Sequence, residues 1–135
     1  MTVEDARTIL AGARQHAEKI GIPMDIAITD EGGHLLVFER MDGAKITSIQ
    51  IAMDKAFTAA GARKGTHEYT QSAGAGGPAF GIFVSHQGRF TIFGGGLPIF
   101  VDGVCVGAVG CSSGSVEQDM AVAQAGIDAL LKKGE

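Results

Sequence analysis

The chain has 135 residues, 45% of them hydrophobic, which is enough apolar material for a single domain (1–135) with its own core and no disulfide help. A net charge of −4, with Arg63 and Lys64 the nearest thing to a basic cluster, argues against a nucleic-acid binder. No stretch is long and apolar enough to span a membrane and the start, Met1 to Arg7, is polar rather than a signal peptide, so a cytoplasmic location is expected, with Cys105 and Cys111 reduced.

Thr2 to Ile20 reads as an amphipathic helix. Thr2 is the N-cap with Asp5 in the reciprocal position, and the apolar stripe is Val3, Ala6, Leu10, Ala13, Ala17 and Ile20. Gly21 suits the C-cap, and Pro23 prevents continuation. Met24–Thr29 and Leu35–Met41 read as a hairpin around Asp30-Glu31-Gly32-Gly33-His34. Ile46 to Ala60 is a second helix, ended by Gly61, with Ile46, Ile49, Met53, Ala56 and Ala60 on one face. The polar, glycine-rich stretch from Ala62 to Ala79 is long for a connection in a compact domain, and such loops usually serve function.

Two short strands are expected next, Phe80–Ser85 and Arg89–Phe93, turning at His86-Gln87-Gly88. After Gly94-Gly95-Gly96-Leu97, Pro98–Val101 leads through Asp102-Gly103 into the strand Val104–Val109. Ser115 and Gln118 form a capping-box pair opening the last helix, whose expected buried face is Val116, Met120, Ala123, Ile127 and Leu130. Hairpins mean antiparallel pairing. The pattern is an α/β (α+β) domain of about five strands with helices on both faces.

Several segments resemble the GlcG/HbpS-like family, also seen as the C-terminal part of PduO-type proteins. They are Thr29-Asp30-Glu31-Gly32-Gly33-His34-Leu35, Arg40-Met41-Asp42-Gly43-Ala44, Lys55-Ala56-Phe57-Thr58-Ala59, Gly94-Gly95-Gly96-Leu97-Pro98-Ile99, Asp102-Gly103, Val106-Gly107-Ala108-Val109-Gly110, and Gln118-Asp119 with Ala123 and Gly126. They run in one order over nearly the whole chain. The resemblance implies a profilin-like fold, a five-stranded antiparallel sheet between helices, and homo-oligomers from dimer to octamer. It implies haem binding, as in the best-described members, and genes that accompany catabolic pathways for small organic compounds. Cys111-Ser112-Ser113-Gly114 departs from the family, where Val-Ser-Gly-Gly is more usual.

Several residues are able to carry chemistry. Gly94, Gly95 and Gly96 suit an anion nest of backbone amides, or else a tight turn. Ser112 and Ser113 precede a helix whose free amides favour an anion, while Ser115 serves as the cap. The Arg40 guanidinium suits a two-point grip on a carboxylate; its bland alternative is a surface pair with Asp42. Lys55 either snorkels to solvent or is a desolvated amine. Gln118 and Asp119 open the last helix, and Asp119 there either opposes the dipole or binds a ligand. None of His16, His34, His67 and His86 is spaced for a structural zinc site; for haem iron, His67, His34 or the Thr66 oxygen are candidate ligands. These features point to a binding protein for a carboxylate-bearing small molecule, haem foremost. The alternative is a hydrolase- or deaminase-like enzyme acting on a small organic acid or imine through Lys55 and Asp119.

Overall fold

A computed structural model describes residues 1–134. Three long helices and four strands follow one another as α1 (Val3–Ile20), β1 (Asp25–Asp30), β2 (Leu35–Arg40), α2 (Ser48–Ala62), β3 (Gly96–Val101), β4 (Val104–Ser112) and α3 (Val116–Lys133). The 3-10 turns Thr66–Tyr69 and Ile82–Val84, and one helical turn at Ser85–Gly88, punctuate the passage from α2 to β3. The sheet is antiparallel throughout, in the order β2-β1-β4-β3.

Local chemistry sets the element ends. Thr2 Oγ1 accepts from the Asp5 amide while the Asp5 carboxylate accepts from the Thr2 amide, each at 3.0 Å. A cap of this kind contributes about 1 kcal/mol. Gly21, at φ 74°, closes α1 in the left-handed conformation that glycine adopts without penalty. Asp102 and Gly103 both have positive φ, the two-residue turn that matches the twist of β3 and β4.

The two faces of the sheet are covered differently. Ile26, Ile28, Ile99, Val109 and Cys111 meet Ile9 and Ala13 of α1 and Val122, Ala123 and Ile127 of α3 in the main core. Those two helices touch closely: a Cβ on Gly126 would lie 2.8 Å from the Ile9 carbonyl oxygen. On the opposite face α2 lies on small residues, with Ala52 and Ala56 against Ala27, and Ala59 and Ala60 against Ala108. Gly110 makes this approach possible, since a Cβ there would sit 2.6 Å from the Ala56 nitrogen and overlap the Ala52 carbonyl.

Three expectations need correction. The sheet has four strands, not five: Phe80–Ser85 and Arg89–Phe93 form turns. The amides of Phe80, Ile82 and Val84 bond to backbone carbonyls three residues back in successive turns, and side chains serve part of Arg89–Phe93. Thr58 Oγ1 accepts from the Thr91 amide at 2.9 Å, with its one hydrogen between the Asp54 carbonyl at 2.8 Å and the Arg89 carbonyl at 3.1 Å, and Thr70 Oγ1 donates to the Ile92 carbonyl at 2.7 Å. Gly81, His86, Gln87 and Gly88 all have positive φ, which bends the chain away from an extended course. Second, α2 begins two residues later than expected and passes through Gly61 to end at Arg63 in the left-handed region. Third, its buried residues are Ser48, Ala52, Lys55, Ala56, Thr58, Ala59 and Ala60, while Ile46 is 74% exposed. Ile46 lies before the helix begins and Ile49, Ile51, Met53 and Phe57 are only partly buried, because alanines make most of the close contact between the helix and the sheet. In α1 and α3 the stripe is likewise rotated, burying Ile9 and Val122 and leaving Val3, Ile20 and Val116 exposed.

Candidate functional site

Lys55 lies on the sheet-facing side of α2 and is fully buried, so the solvent-reaching reading of its side chain does not hold. Its Nζ donates to Asp119 Oδ2 at 2.9 Å and to the Cys111 carbonyl at 2.8 Å, and lies 5.0 Å from the centre of the Phe93 ring. Asp119, in the first turn of α3, is buried too, and its Oδ1 accepts from the Gly114 amide at 2.9 Å. Burial pushes the Asp119 carboxyl up from its ordinary range, opposed by the ammonium and by that amide. The pair therefore joins α2, the end of β4 and the start of α3 at one point. Removing one partner of such a pair leaves the other buried and uncompensated, at a cost of about 3–5 kcal/mol.

The glycine run closes over this pair. Gly94, Gly95 and Gly96 are buried. Gly95 has φ 128°, and a Cβ on it would lie 2.5 Å from Lys55 Nζ and 3.0 Å from Asp119 Cβ. The Gly95 carbonyl accepts from the Cys111 amide, and the Gly96 amide donates to Thr66 Oγ1 at 3.0 Å. The Gly96 amide is thus committed within the protein and does not serve an open nest. Thr66 is buried and committed with it. Cys111, fully buried beside the ion pair, has its thiol pushed far above the ordinary range by burial, so it is no nucleophile.

The residues before α3 are likewise in use. Gln118 accepts from the Ser115 amide and donates its own amide to Ser115 Oγ, completing the capping box. Ser113 Oγ accepts from the Lys45 amide at 3.0 Å. Ser112 is buried and pairs in register with Asp25. With Asp119 already at the Gly114 amide, this helix end carries its own anion.

His67 stands apart from these committed groups. It is exposed on the Thr66–Tyr69 turn, and its Cβ lies 3.2 Å from where a Gly94 Cβ would be, a point also 2.6 Å from Val116 Cγ1 and 2.9 Å from Met120 Sδ. Leu97 flanks the same turn through Gly65. Phe93 and Val116 expose apolar surface here, and Arg63 and Lys64 are exposed just before it, with Lys64 Nζ 5.6 Å from the Tyr69 ring centre. An open imidazole, an apolar surface and two cations gather at one corner of the molecule. Neither Arg63 nor Lys64 stands out in sequence as part of a site; both precede His67 by a few residues on the turn after α2. His34, by contrast, sits in the β1–β2 turn with Nδ1 3.3 Å from Asp30.

Arg40 belongs to neither group. It is exposed at the end of edge strand β2, at the far side of the sheet from β3. It lines a cleft with Arg14, Glu18, Pro23, Met41 and Asp42. Among the described residues it forms no ion pair, with Asp42 or any other carboxylate. Its neighbour in register on β1 is Asp25, a residue that no sequence motif marks.

Among the described residues no cluster of three or more His, Cys, Asp or Glu is placed to hold a metal ion, and no helix is long and apolar enough to cross a membrane. A family model described as haem degrading protein HbpS-like matches residues 1–128. A 15.0 kDa protein of the dhaT-dhaS intergenic region of Citrobacter freundii is 39% identical over 95% of this chain and 90% of its own length. The corrinoid adenosyltransferase PduO of Citrobacter freundii is 34% identical over 96% of this chain, which spans only 39% of that protein. The crystal structure of a PduOC–haem complex superposes with a TM-score of 0.91 at 34% identity, covering 96% of this chain and 94% of that one.

Proposed function

Since the chain belongs to the HbpS-like family, we propose that it is a small-molecule binding protein for a carboxylate-bearing ligand, with haem as that ligand. The likeness to the PduOC–haem complex carries this reading. The donor set at the His67 corner fits the group. His67 offers an exposed imidazole for the iron, Phe93, Leu97 and Val116 offer apolar contact to the porphyrin, and Arg63 and Lys64 offer charge to the propionates. Lys55, Asp119, Thr66, Gly95 and Gly96 hold the floor of the corner in shape from beneath. In this reading Lys55 and Asp119 are positioning groups and not proton-transfer groups, because their polar atoms are engaged with each other and with backbone.

Haem, when bound, supplies an iron centre whose properties the axial ligand sets. The protein's own part is to present the imidazole on a short, fixed turn. The Thr66 side chain ties that turn to β3 by the Gly96 amide. Titrating the protein with haemin tests the proposal. A Soret band that shifts and saturates at a fixed stoichiometry supports it; a spectrum that remains the sum of free haemin and protein refutes it.

A further inference from the structure

Beside the last turn of α2 lies a recess of about 550 Å³, a volume typical of small-molecule sites. It is lined by Phe57, Gly61, Tyr69, Ile82, His86 and Phe90. Phe57 and Gly61 share one helix face, four residues apart. The Tyr69 and Phe90 rings meet edge to face, with centres 4.9 Å apart, and the His86 ring meets Phe57 in the same manner at 5.4 Å. Phe57 is held from other sides as well. The Arg89 guanidinium lies 4.0 Å from its ring centre, and a Cβ on Gly33 would come within 2.9 Å of its Cδ2. The aromatic wall is therefore preformed.

Two features of this recess run against the chain's own stability. Gly61 stands inside a helix, where alanine is favoured over glycine. No close contact demands a glycine there, since a Cβ on it would meet nothing within 4 Å. What Gly61 contributes is open space. His86 and Gln87 are consecutive left-handed residues, at φ 54° and 60°, a conformation that disfavours L side chains. That turn sets the His86 ring against Phe57. Neither the His86 imidazole nor the Tyr69 hydroxyl makes a hydrogen bond to the protein among the described residues.

We propose that this recess is a second binding site, for a neutral single-ring aromatic bearing a hydroxyl, the phenol class. The ligand's ring packs on Phe57, Tyr69 and Phe90 in the offset or edge-on geometries that aromatic pairs prefer. Its hydroxyl donates to an imidazole nitrogen of His86. A plain hydrocarbon would cover the two free polar groups without serving them. An ionic ligand finds no counter-charge, because no Lys, Arg, Asp or Glu lines the recess, and Arg89 is taken by Asp54 at 2.8 Å. The recess shares no residue with the His67 corner and does not rest on haem binding there.

The fluorine NMR signal of 4-fluorophenol, titrated with the whole chain at about pH 8, where free imidazole and phenol are both neutral, tests the site. A saturable shift is expected, displaced by phenol. Cyclohexanol, which has the hydroxyl without the aromatic face, and benzoate, which has the ring with a charge, should each displace it about fivefold less well or worse. Gly61→Leu fills the open space and should weaken binding about tenfold or more. Its melting temperature should be no lower than wild type, since leucine favours a helix over glycine, and its haemin titration should be unchanged. His86→Ala should narrow the preference for 4-fluorophenol over fluorobenzene. No saturable shift, displacement by cyclohexanol as good as by phenol, or equal binding by Gly61→Leu overturns the proposal. A failed haemin titration beside saturable 4-fluorophenol binding refutes the haem reading and supports this site.

Discussion

At the residue scale the structure separates groups whose bonds are already made from groups whose bonds are not. Lys55 and Asp119 belong to the first kind. Lys55→Met is expected to lower stability by about 3–5 kcal/mol, because it strands the Asp119 carboxylate. Lys55→Met combined with Asp119→Leu should recover much of that loss, and urea unfolding of the single and double variants measures it. Asp25 belongs to the second kind, completely buried with neither carboxylate oxygen hydrogen-bonded in the protein. Burial holds its carboxyl above the ordinary 3.8, with Arg40 opposing. An acid whose pKa is raised on folding binds its proton more tightly in the native state. The stability this contributes is fully present below 3.8 and is lost as pH rises through the folded value. Wild type should therefore lose stability as pH rises from 3.8 through the raised folded value, a loss that Asp25→Asn does not share. Melting temperatures of both proteins from pH 3 to 8 check this; parallel profiles would show that Asp25 ionises without cost. No pattern in the sequence marks Asp25, because its role depends on lacking partners, and that is visible only once the neighbours are placed. Arg40 was legible as an uncommitted cation, whereas its supposed partner Asp42 was not its partner at all.

At the element scale, patterns that rest on local chemistry were legible and those that rest on tertiary contact were not. The α1 and α3 capping boxes and the Asp102-Gly103 turn follow from adjacent residues alone. The faces of α2 do not. Periodicity favours burying Ile46 and Ile49, but the alanines and Gly110 of the interface between α2 and the sheet decide the helix's orientation, and Lys55 goes in with them. The apolar run Phe80–Phe93 has the composition of two strands, yet backbone turn bonds take the amides of Phe80, Ile82 and Val84, and Thr58 and Thr70 take backbone groups of Thr91 and Ile92. This gives an element-scale expectation. Gly110→Ala forces β4 away from α2 and should cost about 1–3 kcal/mol or more, measured by chemical unfolding. An unchanged midpoint would mean that the interface is looser than described.

At the scale of the whole molecule, the family and the helix-covered antiparallel sheet were legible from motifs spread along the chain, while the corner around His67 was legible only in pieces. His67, His34 and Thr66 were alternative candidates for an iron ligand; Thr66 is buried and accepts from the Gly96 amide, and His34 lies beside Asp30 in the β1–β2 turn. We also expect self-association. Ile46, Phe80, Val84 and Val104 are each more than half exposed, an unusual number of large apolar side chains to leave in water. Light scattering at micromolar concentration should give a mass of at least two chains, and a monomer mass would contradict this. The most direct test of the central claim is haemin titration of wild type beside His67→Ala and His34→Ala, followed by the Soret band. Wild type and His34→Ala should reach the same saturated spectrum, while His67→Ala should lose that spectrum or bind about tenfold or more weakly. No saturable Soret change in wild type, or an unaltered one in His67→Ala, would contradict a haem site at this corner.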